Sequence, residues 1–269
     1  VLRQSVFVKF LKLTQATQHR TLKEGLMNRK YLVPASVLVL LALTVPATAQ
    51  EPTLVRNCSV KFLTAFVLDV GARPSDSPSA QVTCRLTHKD TGIYGGFWLG
   101  QLTDDPGREP LGNEGDLYTG IGLDAASLHL DFSLWFYDLA NPRLFDGADG
   151  DFIDLIGAIS CNSCRKVSPY FELHILRPTG PKSFQHGWYT KVGLVRNVRM
   201  SNRDVTFDIN HVHNEGVGDG FAEIFRLTIT PTILSKGGTT LKVPVSYSYP
   251  LRGEGLENQI WTGVVFSFR

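Results

Sequence analysis

The sequence predicts an all-β protein, a single antiparallel transmembrane β-barrel of about twelve strands preceded by a cleaved signal peptide. Three observations predict it. Apolar and polar residues alternate with a period of two along many short segments, most clearly from Leu128 to Phe136. Short and long connections between these segments alternate along the chain. No segment reaches the run of roughly 20 apolar residues that a membrane-spanning helix needs.

The first fifty residues have the pattern of an export signal. A basic patch at Asn28-Arg29-Lys30, with its charges on Arg29 and Lys30, is followed by an uncharged apolar run from Tyr31 to Val45. Ala47-Thr48-Ala49 then provides a small-x-small cleavage site, so we expect the cut after Ala49. The apolar run is too short to favour a membrane anchor.

These features divide the chain into three expected parts. Residues 1–26 precede Met27 and are interpreted as lying upstream of the true start, or as a long signal extension, without structure of their own. Residues 27–49 are the expected signal peptide. Residues 50–269 are the expected outer-membrane barrel, since a β-domain of that size usually remains undivided.

Composition supports a β-fold and argues against a nucleic-acid partner. The formal net charge is +2, and the basic residues form no stripe that would bind phosphates. The chain has 25 Gly and 14 Pro, and 10% of its residues are aromatic, as expected for many short strands joined by turns.

The period-two test predicts twelve strands, an even number that places both ends of the mature chain on one side of the membrane. They are expected near residues 59–70, 80–88, 92–101, 114–123, 127–137, 151–160, 166–177, 184–198, 203–213, 220–235, 238–249 and 258–269.

The connections between these strands are of two kinds. Every second one is a short turn, expected to face the periplasm, and the others are longer and rich in Gly, Pro, Asp and Asn, as exposed loops should be. The short turns are Lys89–Thr91, Asp124–Ala126, Asn162-Ser163, Met200–Asn202 and Lys236-Gly237. The long loops are Gly71–Ser79, Leu102–Asn113, Leu139–Gly150, Pro178–Ser183, Asn214–Asp219 and Pro250–Glu257.

If the apolar faces meet lipid, the opposite faces point charged residues of both signs into the lumen. A barrel of about twelve strands lies between filled eight-stranded barrels and sixteen-stranded water-filled pores, so a narrow polar channel and a salt-bridged filled interior are both open. The candidate lumen-lining residues are Arg85, Asp116, His129, Asp131, Glu172, His174, Arg226 and Lys242.

The four cysteines suggest one local disulfide. Cys161 and Cys164 flank a predicted short turn, and without a second pair at zinc spacing a disulfide is favoured over a metal or redox site. Cys84 lies on an apolar strand face and is expected to be a buried or lipid-facing thiol. Cys58 is left open as free or paired.

Catalytic and metal motifs are not found in the sequence. There is no Gly-x-Ser-x-Gly elbow, His-Glu-x-x-His helix, Walker loop or dinucleotide-binding turn, so the chain is predicted not to be an enzyme and to need no cofactor. His211 and His213 share a strand face, a weak metal signal. A barrel hydrolase using Asp104, Asp105, Asp208 and His211 is a remote alternative.

Several segments between residues 70 and 160 resemble the TorF-like family of porins. They are Gly71–Pro78 with Gln81, Thr91–Trp98, Asn113–Gly120, the aromatic Trp135–Tyr137 and the acidic Asp151–Asp154. The resemblance implies a proteobacterial outer-membrane barrel whose cargo is poorly defined.

The leading hypothesis is therefore a porin that admits small polar solutes or ions through the outer membrane, in contact with its lipid. The first alternative is a non-conducting structural or interaction barrel. The second is a soluble exported β-sandwich that serves as a binding module. The sequence leaves the solute, the oligomeric state and the openness of the lumen undetermined.

Overall fold

In the computed structural model, the described residues are 53–68, 77–102, 114–139, 151–161, 164, 166–179, 185–217, 220–253 and 256–269. The expectations for residues 1–26 and for the signal peptide at 27–49 lie outside these residues. The turn residues Asn162 and Ser163, and Asp104 and Asp105 of the hydrolase alternative, also lie outside them.

The described residues form one closed antiparallel sheet in which consecutive strands pair and β1 pairs with β13. The segments β11 and β12 both pair with β10 on one side and β13 on the other, so they are two parts of one strand and the barrel has twelve strands. The bounds are β1 Leu54–Leu63, β2 Ser79–His88, β3 Ile93–Leu102, β4 Glu114–Ala125, β5 Leu128–Leu139, β6 Phe152–Cys161, β7 Ser168–Pro178, β8 Gln185–Met200, β9 Arg203–Val217, β10 Phe221–Lys236, β11 Thr239–Lys242, β12 Val245–Arg252 and β13 Gln259–Phe268.

The break between β11 and β12 lies at Val243 and Pro244. Proline has no backbone N–H to donate to a ladder, and β10 compensates with a register shift between Thr232 and Leu234. The carbonyl of Pro244 still accepts from the Gly263 N–H and the Thr262 hydroxyl. The sequence prediction of one strand at 238–249 therefore gave the correct number of strands.

The first strand differs from its prediction. It was expected at 59–70, but β1 begins at Leu54 and ends at Leu63, fixed by its register with His88 and Ser79 on β2. The prediction extended the strand to residue 70 because the residues after Leu63 are also mostly apolar. Instead of continuing the wall, the chain buries Ala65 and Phe66, which are 1% and 6% exposed.

Two tight turns have the geometry of two-residue hairpins. Ser201 and Asn202 between β8 and β9 both have positive φ, and so do Gly237 and Gly238 between β10 and β11. Turns with positive φ at both central residues match the twist of antiparallel strands. They agree with the short connections predicted at Met200–Asn202 and Lys236-Gly237.

The two faces of the wall differ in composition. Large apolar side chains on the outward face are exposed, for example Phe62, Phe132, Val192 and Ile260, at 52%, 52%, 51% and 69%. Hydrocarbon requires every backbone polar group to be paired, and the closed sheet meets this requirement. The exposed apolar side chains give the wall an outer surface that suits lipid. Among the described residues, no helix is long and apolar enough to cross a membrane.

Candidate functional site: the barrel interior

The interior face follows from the strand registers. Trp98 pairs with Asp116, Asp116 with Tyr137, and Tyr137 with Phe152, so these residues share one face of the sheet. Asp116 and Phe152 are 3% and 5% exposed, whereas residues of opposite parity carry the exposed apolar side chains. By this alternation the structure places all the candidate lumen-lining residues on the interior face: Arg85, Asp116, His129, Asp131, Glu172, His174, Arg226 and Lys242.

The first group of these residues links β2, β3 and β5. Arg85 Nη2 lies 3.5 Å from Asp131 Oδ2, and its guanidinium carbon lies 3.3 Å from the centroid of the Tyr94 ring. The Tyr94 hydroxyl donates to Asp131. Arg85 and Asp131, both predicted from the sequence as lumen-lining residues, therefore form one ion pair, and the structure adds Tyr94 to it.

The second group lies on β6, β7 and β8. His174 Nδ1 is 2.7 Å from Asp154 Oδ2, and its Nε2 is 3.7 Å from Glu172 Oε2. Lys191 Nζ lies 3.1 Å from the same Glu172 oxygen, and the His174 ring stacks on Tyr189 at 4.0 Å. This network holds charges of both signs against the wall.

An aromatic series lines the interior from β4 to β6. Tyr118 stacks on Trp135 at 4.1 Å between centroids, Trp135 lies 5.9 Å from Tyr137, and Tyr137 stacks on Phe152 at 4.2 Å. Tyr118 also lies over Gly96 of β3, where an added Cβ would come within 2.5 Å of its ring. A glycine under an aromatic ring lets the ring lie flat on the sheet.

The interior near the long-loop ends of β6–β10 is filled with apolar side chains. The cluster contains Phe152, Leu176, Tyr189, Val212, Val217, Ala222 and Ile224, with Tyr137 and Leu256 packed against it. Val212 and Ile224 are 0% and 1% exposed, so this part of the interior excludes water. We call it the apolar plug.

The segment Ala65–Leu68, which follows β1, turns into the barrel. The Phe66 ring lies 6.3 Å from Trp98, which is on the interior face. Arg226 donates from Nη2 to the carbonyl oxygen of Leu68 at 3.0 Å, and its guanidinium carbon is 5.3 Å from the Trp261 ring centroid. A buried arginine of β10 thus fastens this in-turned segment to the wall three strands away from β1.

The interior near the short turns of β6–β9 contains an open cavity. Its volume is about 480 Å³. Glu172 and Lys191 line it on the side nearer the long loops. Tyr170 donates to Asp208 at 3.0 Å, and Asn210 donates to the same carboxylate at 3.3 Å. We call it the polar cavity; its lining is Ser160, Ser168, Tyr170, Glu172, Lys191, Val195, Asn197 and Asp208.

The three remaining candidate lumen residues lie outside these groups. Asp116 is buried near the long-loop end, beside Glu114. His129 is beside the β4–β5 turn, with Nδ1 2.7 Å from Asp124 Oδ1. Lys242 ends β11 and pairs with Val265 of β13. The candidate lumen residues are therefore spread over the height of the barrel.

The cysteines form two disulfides in the described part of the chain. One joins Cys161 and Cys164. The other joins Cys58 and Cys84, which are directly opposed on β1 and β2 with Cα atoms 4.1 Å apart, so the expectation of a free thiol at Cys84 is wrong. The signal missed was the register, because it depends on where β1 begins.

The described residues proposed for a metal site or a hydrolase site do not come together as a site in the structure. His211 and Asp208 lie on opposite faces of β9, since Asp208 is interior and residues an odd number of positions away point outward. His213 packs with Trp188 and Phe221 on the outward rim. Among the described residues, no group of three or more His, Cys, Asp or Glu side chains is arranged to hold a metal ion.

Comparisons with known proteins identify the architecture. No protein-family model matches the chain, and no curated protein sequence matches it. The KdgM porin aligns at a TM-score of 0.52 and 6% identity over 79% of this chain and 98% of its own. The KdgM porin in complex with disordered oligogalacturonate aligns at 0.51 and 6% identity over the same shares, 79% and 98%. The COG4313 outer membrane channel from Pseudomonas putida F1 aligns at 0.49 and 14% identity over 83% and 99%.

At these identities the similarity establishes a fold. The chain has the closed, antiparallel twelve-strand architecture of outer-membrane β-barrels.

Proposed function

We propose that the chain is a porin of the proteobacterial outer membrane that admits small polar solutes or ions by passive diffusion. The observation that carries the proposal is that charged and polar side chains line much of the interior of a closed barrel whose outer surface is apolar. A wall of this kind separates water from hydrocarbon, and charges of both signs inside it attract polar solutes.

Further features of the chain support the same proposal. The segment 27–49 serves as the export signal, and the TorF-like resemblance is the finer family assignment. The candidate lumen-lining side chains then act as the surface along which solutes move, with Arg85–Asp131 and Glu172–Lys191 as fixed charge pairs. A structural neighbour binds oligogalacturonate, which supports a polar solute for a barrel of this architecture.

The test is single-channel conductance of the chain from Gln50 to Arg269, refolded in detergent and inserted into a planar bilayer. A porin gives steady conductance steps that scale with salt concentration. If the chain stays soluble without detergent after the signal is removed, the membrane assignment is overturned and the β-sandwich alternative is favoured. Heat-modifiable migration on a gel provides a folding control.

A second function, a non-conducting structural or interaction barrel, is favoured by one specific observation. The apolar plug and the in-turned segment occupy the interior at the long-loop end. A refolded, heat-modifiable barrel that never conducts would select this function. The same preparation therefore distinguishes the two candidates.

A further inference from the structure

The polar cavity contains an aromatic ring held flat against the wall. Tyr170 on β7 pairs with Gly193 on β8, and a Cβ added at Gly193 would come within 2.5 Å of the ring. One face of the ring is therefore covered by the β8 backbone. Because the ring lies on the interior face and is only half-buried, its other face is turned towards the cavity.

Hydrogen-bonding groups from four strands, β6 to β9, surround this ring. Ser160 and Ser168 contribute hydroxyls, and Asn197 contributes an amide that accepts from Thr206 at 2.7 Å. Glu172 and Asp208 contribute carboxylates. The site thus presents a flat apolar surface bordered by donors and acceptors, which matches a ligand with a C–H face and a rim of hydroxyls.

The charges in the cavity, two carboxylates and one ammonium, disfavour an anionic ligand most. Its lining has one ammonium, on Lys191, and this group lies 3.1 Å from Glu172. Asp208 already accepts from Tyr170 and Asn210, which satisfies part of its capacity. An anion would meet two carboxylates, and a cation would meet the ammonium, which lies 5.8 Å from the Tyr170 ring.

We propose that the polar cavity binds an uncharged polyhydroxylated solute of monosaccharide to disaccharide size, with its ring stacked on Tyr170. The cavity volume of about 480 Å³ falls within the range of small-molecule sites, about 300 to 1,000 Å³. This inference rests on the proposed porin function, because it names the class of solute. The site lies near the short-turn end of the barrel.

Binding is measured without relying on conduction. The refolded barrel, in a detergent without a sugar headgroup, is titrated by calorimetry with glucose, maltose, glucuronate and glucosamine. Glucose, glucuronate and glucosamine share a pyranose ring and differ in charge. We expect glucose or maltose to bind at millimolar concentrations and glucuronate to bind at least about tenfold more weakly.

Variants locate the binding within the cavity. Tyr170→Ala should weaken glucose or maltose binding about tenfold by removing the stacking surface, and Tyr170→Phe should retain most of it. Gly193→Ala should weaken binding because its methyl group displaces the ring. Gly157→Ala is the matched control, since an added Cβ there meets only Phe132 at 3.8 Å on the outward face.

The outcomes separate the two proposals. Conductance without sugar binding, sugar binding unaffected by Tyr170→Ala and Gly193→Ala, or preferential binding of glucosamine would overturn the inference and leave the porin intact. Sugar binding that Tyr170→Ala weakens, in a barrel that never conducts, would support the site and overturn the porin. Heat-modifiable migration of every variant confirms that it has folded.

Discussion

The two ends of the barrel interior are filled differently although the same strands build both. Along β6 the interior residues run from Phe152 at the long-loop end to Ser160 at the short-turn end, and along β8 they run from Tyr189 to Asn197. The first of each pair belongs to the apolar plug and the second lines the polar cavity. The wall is regular, so side-chain size and polarity decide which end is closed.

This difference assigns separate physical roles to the two ends. The apolar plug buries large side chains as the core of a soluble protein does, and it should dominate stability. The polar cavity leaves its side chains partly solvated, so changes there should affect solutes more than folding. The in-turned segment connects these roles, because Arg226 ties it to the interior wall.

The largest predicted effect is loss of stability when the apolar plug is cut back. Ile224→Ala should lower the free energy of unfolding by about 2 to 5 kcal/mol, because the 1% exposed side chain leaves a void. Urea unfolding of the refolded barrel measures it.

A matched pair of valines sharpens this comparison. Val212→Ala in the apolar plug should lower the free energy of unfolding by about 2 kcal/mol. Val195→Ala in the polar cavity should lower it by less than about 1 kcal/mol, because that side chain is partly solvated. Equal losses at both positions would show that the two ends are packed alike.

The second prediction concerns the two disulfides, one between the wall strands β1 and β2 and one at the end of β6. Replacing Cys58 and Cys84 by Ser should lower the free energy of unfolding by about 3.5 kcal/mol, because the bond closes a loop with a sequence separation of 26. Replacing Cys161 and Cys164, separated by 3, should cost about 1.5 kcal/mol. Urea unfolding under non-reducing conditions compares the two variants.

If the disulfides act only on the wall, neither double replacement should change sugar binding in the polar cavity. A large binding loss in the Cys161 and Cys164 variant would instead show that this disulfide, which lies near Ser160 and Ser168, shapes the cavity.

The third prediction tests the in-turned segment. Arg226→Met removes a charged hydrogen bond to the Leu68 carbonyl, which contributes about 1.5 to 3 kcal/mol. The segment should then leave the interior about 10 to 100 times more often. A cysteine introduced as Ala65→Cys reports this as faster labelling by a membrane-impermeant maleimide, since the described native cysteines are all disulfide-bonded.

Arg199→Met is the control for this measurement. Arg199 is an exposed residue near the β8–β9 turn, so its loss removes a similar charge without touching the segment. Equal labelling rates in the Arg226→Met and Arg199→Met backgrounds would contradict a fastening role for Arg226.

How much of this organisation could be predicted from the sequence depends on the range of the interaction involved. Strand alternation is local, and it predicted twelve strands and a common face for Arg85, Asp131, Glu172 and His174. Where β1 ends is not local. Residues 65–68 are as apolar as a strand, and only their packing against Trp98 and Arg226 distinguishes them from one.

The polar cavity depends on cross-strand pairing for the same reason. Tyr170 and Gly193 are unremarkable in their own strands, and their significance appears only when the register opposes them. Lys191 was likewise not selected, although it completes the pair with Glu172. A pairing register inferred between neighbouring predicted strands is the signal that would have found all three residues.

The smallest predicted effect concerns charge in the polar cavity. Lys191→Gln leaves Glu172 and Asp208 without the nearby ammonium, and Glu172→Gln leaves Lys191 balanced by Asp208 alone. One unit charge at about 4 Å in water is worth about 1 kcal/mol, or about fivefold in relative ion occupancy. In a conducting barrel, Lys191→Gln should therefore shift the reversal potential in a salt gradient towards cation preference, and Glu172→Gln towards anion preference.

Shifts of opposite sign and similar size would place the cavity on the conduction path. Absent shifts in a barrel that still conducts would mean that ions pass along the β2–β5 side, where Arg85 and Asp131 lie, and the polar cavity would then be a side chamber.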